Sequence, residues 1–282
     1  MNLRLFVTVF LSGLLLQFRI TAAENSKPLI ELAKEAYSHR EPDKALELAT
    51  EAIRAEPSNP TNFYVRGQIL GMLGRSESAI TNYSAALRAD VLFANAYQSR
   101  GNEQLKLGHF KEAIDDFDRY IAVVPRQEPY HWQRGIAYYE VKRFEDGRKQ
   151  FESHQTVNPN DVENAAWHFA CVARKDGPEV ARKKLLPIKD DSRVPLMTVY
   201  ALYSGRATID DVFKSAEAGS PSQEEIRPRL FYANFYVGLY LESIRDERAL
   251  VYLRKAAETY RVEGPMGDIA QAHYKRIMQK GS

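Results

Sequence analysis

His168 and Cys171 stand three residues apart in "WHFACVAR", on what reads as one helix face, and offer a pair for metal ligation. Two ligands do not close a tetrahedral zinc site, and a cysteine in an apolar run is expected as a small buried residue. His39, His109, His131, His154 and His273 are scattered without metal-ligand spacing. Asp115, Asp116 and Asp118 imitate the start of a calcium loop but lack its central glycine and terminal glutamate, so they are expected on the solvated face of a helix. Asp190, Asp191, Asp210 and Asp211 are the carboxylates available for acid–base work in an irregular stretch at 187–222. Surface solvation is the expected account of them. Glycine-rich phosphate loops, nucleophile elbows and His-Glu-x-x-His are absent from the sequence. The chain is expected to be non-catalytic, with no cofactor and no metal; an envelope hydrolase using 187–222 is the alternative.

The elements that carry these residues follow a beat of 34. Arg66-Gly67, Arg100-Gly101 and Arg134-Gly135 recur at that spacing, with Ala33 on the glycine phase of the first unit. Ala45, Ala79, Ala113 and Gly147 hold a second phase, Tyr83, Phe117 and Phe151 a third, and Pro57, Pro125 and Pro159 a fourth. Within each unit apolar residues recur at three and four, as in Leu105, Ala113, Ile114, Phe117 and Ile121, which predicts two helices per unit. Gly101 and Ala113 are expected where the two helices cross, Gly108 at the turn between them, and Phe117 as a wedge toward the next pair. One such unit cannot cover its own apolar face, so stability must come from stacking neighbours.

The lines "FYVRGQILGMLGRSESAITNYSAALRAD", "AYQSRGNEQLKLGHFKEAIDDFDRYIAVVP" and "HWQRGIAYYEVKRFEDGRKQFESHQTVNP" resemble the tetratricopeptide repeat family. The expected fold is all-α, a right-handed superhelical solenoid of helix pairs. Repeats fall at about 26–59, 60–93, 94–127 and 128–161, with a degenerate pair at 162–187 turning at Gly177-Pro178, so that the array spans 24–187. A divergent helical region, 188–282, follows. It contains helical pieces "VPLMTVYALYSG" and "TIDDVFKSAEAG", the second capped by Thr208. A repeat-like hairpin at about 226–260 has Gly238 as its close-contact residue and Leu253 as its wedge. A final amphipathic helix, "MGDIAQAHYKRIMQK", is expected to cap the exposed end of the stack.

Residues 1–23 have the anatomy of a signal peptide: Arg4, an apolar run from Leu5 to Phe18, then Thr21-Ala22-Ala23 before Glu24. The run is short of the ~20 residues of a spanning helix, and no cysteine follows it to accept a lipid. An exported protein, periplasmic or secreted and not a lipoprotein, is expected, with no membrane insertion after cleavage; the other reading is an uncleaved anchor. Removing this segment takes the formal charge from +2 to zero, so nothing draws the whole molecule to nucleic acid. The lone Cys171 excludes an internal disulfide.

By the family resemblance, first helices line the concave side, which places Tyr64, Gln68, Gln98, Asn102, Leu105, Trp132, Ile136 and Tyr139, with Gly71, on an inner face. Aromatics and amides together suit an extended peptide or a partner helix. The other reading is that Trp132 and Tyr139 pack against downstream helices. The carboxylate clamp of chaperone-binding family members needs Lys, Asn and Arg; the matching positions hold Tyr64, Gln68, Ser99, Pro129 and Gln133, which disfavours that role. The layout is also similar to NlpI-type bacterial envelope proteins, which implies an adaptor presenting clients to an envelope protease. The sequence "LFYANFYVGLYL" carries enough aromatic surface to suggest a homodimer through the C-terminal hairpin. The recurring arginines are expected to ion-pair along the stack with acidic second helices.

Overall fold

A computed structural model describes residues 28–280; the expected signal peptide lies outside the described residues. Among the described residues the chain is helical with no strand. Five pairs stack in order: α1 (Leu29–Ser38) with α2 (Pro42–Ala55), α3 (Pro60–Met72) with α4 (Ser76–Ala89), α5 (Ala94–Leu107) with α6 (Phe110–Val123), α7 (Trp132–Glu140) with α8 (Phe144–Gln155), and α9 (Val162–Asp176) with α10 (Pro178–Lys183). A 3-10 turn, Pro125–Tyr130, separates the third and fourth pairs. Beyond them lie α11 (Leu196–Tyr203), α12 (Ile209–Glu217), α13 (Gln223–Ser243), α14 (Ala249–Arg254) and α15 (Pro265–Lys280).

Local chemistry sets the boundaries. Pro42, Pro60 and Pro178 open their helices, where the missing N–H costs nothing. Asn59, Asp161, Thr208 and Ser222 accept amide hydrogen bonds at the first turns of α3, α9, α12 and α13. The inter-helix turn obeys the same period in its backbone: Arg40, Gly74, Gly108 and Lys142 all adopt positive φ, at 63°, 71°, 80° and 65°. In each case the next residue's N–H bonds the carbonyl five positions back, as His109 does to Gln104 at 2.9 Å. Two of the four turns therefore hold a left-handed residue that is not glycine.

The glycine phase lies against the second helix of its own pair, where it faces the wedge side chain. A Cβ on Gly101 would lie 2.6 Å from the Phe117 ring of its own repeat; Gly67 and Tyr83, Gly135 and Phe151, and Gly238 and Leu253 repeat the relationship at 2.6–2.7 Å. The wedge side chain thus sits on the glycine of its own pair. The alanine phase makes the other close approach: a Cβ on Gly147 would lie 3.2 Å from the Gly135 carbonyl and 2.8 Å from Cys171 Sγ of the following pair.

Arg100 and Arg134 each bridge two second helices, sixteen residues ahead and sixteen behind. Arg100 grips Asp116 with two bonds of 2.6 and 2.7 Å and donates to Ser84 at 2.9 Å. Arg134 donates to Gln150 at 2.8 Å and to Asp118 at 2.9 Å. Arg66 reaches the neutral Asn82 at 3.4 Å, so ion pairing is local rather than continuous.

The upstream pairs hold two modest cores, around Ala33 and Ala49 and around Tyr83 and Tyr97. From α5 onward the buried side chains merge into one larger core that includes Phe117, Phe151, Trp167, Phe235 and Ile269. The reason is topological: α13 packs on α9, and α15 packs both on the end of the last hairpin and back onto α5. The last helix is therefore more than an end cap; it folds over the inner face.

Candidate functional site: a concave face half open and half closed

First helices do line one face, but α15 divides it. In the upstream half a cleft of about 290 Å³ lies among α3, α5 and α7. Gln68, Gly71, Ser99, Asn102 and Gln133 face it, and Pro265 and Ile269 of α15 form one edge. A Cβ at Gly71 would lie 2.8 Å from Glu103 Oε1, so a larger residue there would displace that carboxylate. Glu103, 5 % exposed, is held by Ser76 at 2.6 Å and Lys106 at 2.8 Å. Tyr64 tethers the wall: its hydroxyl accepts from Gln68 at 3.1 Å, and the Ser99 hydroxyl stands 3.5 Å away. Burial, followed by the nearby Glu103 charge, pushes the Tyr83 phenol upward, so it stays protonated. Asn102 brings a side-chain carbonyl with no hydrogen-bond partner among the described residues. The cleft therefore presents amides, a hydroxyl and the Glu103–Lys106 ion pair beside the Tyr83 ring. Gln98 stays half-buried on α5, outside this set.

Downstream, the inner face is covered. Ile136 is 0 % exposed and Tyr139 2 %, while Leu105, though buried, borders the upstream cleft. Ile136 and Tyr139 correct the expectation of a free binding surface: they hold inner positions but touch their own chain. The Tyr139 hydroxyl bonds Glu242, and its ring meets Trp167 edge-on at 5.3 Å. Trp132 remains partly exposed and, with Trp167 and Met266, borders a cavity of about 170 Å³. The packing alternative read from the sequence thus describes Tyr139, while Trp132 lies at the margin.

A buried charge cluster fastens α15 to this floor. His273 Nδ1 lies 2.6 Å from Glu140 Oε1, and Arg276 pairs with the other Glu140 oxygen. Arg276 also lies 3.8 Å from Glu242, which Arg174 approaches at 3.5 Å. Burial alone would raise the Glu140 carboxyl; the charges of His273 and Arg276 outweigh it and hold the group below its ordinary value. The sequence offered little sign of this cluster, since Glu140 reads as an ordinary acid at the end of "AYYE" and its partners come more than a hundred residues later.

The residues first considered for chemistry take structural places. His168 Nε2 is 3.3 Å from Glu152, and burial lowers its pKa. Burial pushes the Cys171 thiol well up, away from reactivity. Asp191 accepts from the Val162 amide at 3.2 Å and pairs with Arg193. Asp211 completes the capping box of α12 with Thr208. The aromatic hairpin surface is also internal: Phe231, Phe235, Tyr236 and Leu239 are 0 % exposed and Tyr240 8 %, which removes the reason to expect a dimer there. Among the described residues no helix is long and apolar enough to cross a membrane.

The tetratricopeptide repeat model matches residues 30–95 and 99–161. A tetratricopeptide repeat protein from Parabacteroides merdae is similar in fold at 19 % identity, covering 89 % of this chain and 97 % of that one, with a TM-score of 0.55. A MamA protein aligns at 16 % identity over 69 % of this chain and 95 % of its own, TM-score 0.52. MamA from Desulfovibrio magneticus RS-1 aligns at 21 % over 55 % and 88 %, TM-score 0.51.

Proposed function

Because the tetratricopeptide repeat model matches residues 30–95 and 99–161, we propose that this protein is a non-catalytic interaction scaffold that holds an extended segment of a partner protein in the upstream half of its inner face. One observation carries the reading: the open cleft lined by Gln68, Ser99, Asn102 and Gln133. An extended peptide leaves backbone N–H and C=O groups without partners, and amide side chains satisfy both kinds. Tyr64 and Tyr83, tilted with ring centroids 5.7 Å apart, supply the apolar wall that excludes water from those bonds.

The segment Leu5–Phe18 with the small residues before Glu24 supports export, and on this reading the scaffold works in the bacterial envelope, released into the periplasm. Fractionation with N-terminal sequencing of the mature chain tests this; a cytosolic protein retaining Met1 would refute it. For the cleft, a photo-crosslinker at Gln133 of the full chain should capture a protein from a periplasmic extract. Gln68→Ala with Asn102→Ala should abolish that adduct while leaving the circular dichroism spectrum unchanged. Capture of the same protein by both forms would remove the cleft from consideration.

A further inference from the structure

The downstream half of the inner face has the composition of a binding site and already holds a ligand, which is part of the chain. Its floor is aromatic: the rings of Tyr139, Trp167 and Phe235 surround His273 at 6.2, 5.8 and 6.1 Å. Its charges are acidic and buried, with Glu140 at 1 % and Glu242 at 15 % side-chain exposure. What satisfies them from α15 is a pair of basic side chains, His273 and Arg276, one turn apart on one helix face. The rest of that face is apolar, with Ile269, Ala270 and Ala272 buried and Met266, Tyr274 and Ile277 packed against the core. The fit therefore combines an apolar face with two basic side chains set one turn apart.

The link to the body of the protein is short, and is held by Val262 packed on the core and by Arg227 donating to the Arg261 carbonyl at 3.2 Å. Residues 261–265 form a mostly exposed link after the last hairpin, and Gly264, at φ 97°, has open space around it. A helix held on such a link exchanges with a competitor whenever the competitor satisfies the same floor. The two halves also touch, since Pro265 and Ile269 of α15 edge the open cleft.

We infer that the downstream inner face is a docking site for an amphipathic helix with two basic residues three positions apart, that α15 is its resident occupant, and that a partner protein's helix of this chemistry displaces it. Displacement removes one edge of the upstream cleft, so helix capture and peptide capture are coupled. The inference does not depend on what enters the upstream cleft.

The test uses a fluorescein-labelled synthetic peptide of residues 265–280 and the full chain carrying Arg276→Ala, which loosens the resident helix. Fluorescence anisotropy should show binding about ten-fold or more tighter to this variant than to the unaltered chain, a difference of about 1.4 kcal/mol. A peptide carrying Arg276→Ala should lose at least as much. Adding Gln68→Ala and Asn102→Ala to the protein should leave the affinity unchanged, which separates this site from the cleft. No binding to the folded variant, or binding indifferent to the peptide's arginine, overturns the proposal. So does a dimer that forms through exchange between copies while excluding the peptide. Hydrogen exchange on the unaltered chain guards against a variant that fails to fold: amides of α15 should exchange at least ten-fold faster than those of α9. Equal protection would make α15 a permanent part of the core and overturn the inference.

Discussion

Glu140 and His273, separated by 133 residues of chain, meet at 2.6 Å with side chains 1 % and 0 % exposed. Such a pair does not select itself by local propensity; it exists because α15 folds back across the array. Arg276 completes it. Removing one member of a buried ion pair strands the other, which costs about 3–5 kcal/mol. Arg276→Ala should therefore lower stability by about 3 kcal/mol, and Glu140→Gln should cost less when Arg276 is already alanine. A double-mutant cycle by urea denaturation reads this coupling; additive losses would mean that the two side chains do not share one interaction.

Acid should weaken the fold through His131. The ring is 2 % exposed, finds no partner for either nitrogen among the described residues, and lies 4.6 Å from Phe117 and 5.3 Å from Tyr120. Burial, helped by Arg134, brings its pKa down from 6.5 to about 4. Between those values the unfolded chain takes up a proton that the folded chain refuses. Stability is thus fully present above 6.5 and falls as pH drops toward 4, by roughly 3 kcal/mol in total. Glu140, held below its ordinary value, adds a loss of the same sign at lower pH. His131→Phe should flatten the decline between pH 6.5 and 4.5 in urea midpoints; an unchanged slope would assign the acid sensitivity elsewhere.

The array was legible because every repeat solves one packing problem with the same residue types. Gly67, Gly101 and Gly135 recur since each must admit the ring sixteen residues later, and that demand appears directly in the sequence at 34-residue spacing. The inner positions followed from that phase. What escaped was the occupancy of the inner face, because "MGDIAQAHYKRIMQK" is amphipathic in an ordinary way and nothing local ties His273 to Glu140. The fate of "LFYANFYVGLYL" was hidden for the same reason: its aromatics are covered by α9, α11 and α15, whose docking is a tertiary event. Backbone conformation was half visible, with Gly74 and Gly108 announcing a turn that Arg40 and Lys142 adopt without any glycine to announce it.

That turn suggests a stabilising change. Lys142 sits at φ 65°, where its siblings Gly74 and Gly108 sit without a Cβ. An L-residue in the left-handed region costs roughly 1–2 kcal/mol, and glycine returns up to about 1 kcal/mol of that through unfolded-state entropy. Lys142→Gly should therefore stabilise by about 0.5–1 kcal/mol, raising the melting temperature by one to a few degrees. A lower melting temperature would show that the lysine side chain stabilises the turn by more than its strain costs.

The contact between Gly101 and Phe117 is the most direct test of how the repeats are built. Phe117 is 0 % exposed, so its ring has no free space into which to withdraw when a Cβ arrives at 2.6 Å. Gly101→Ala should cost about 1–3 kcal/mol by overpacking, even though alanine favours helix over glycine by about 1 kcal/mol. Gly101→Leu should cost more. In a Phe117→Leu background, where the flat ring is gone, the penalty of Gly101→Ala should shrink and its helix propensity should show. Thermal melts of the four proteins decide the matter. If Gly101→Ala melts at or above the temperature of the unaltered chain, the glycine phase records helix crossing alone and the ring does not set it.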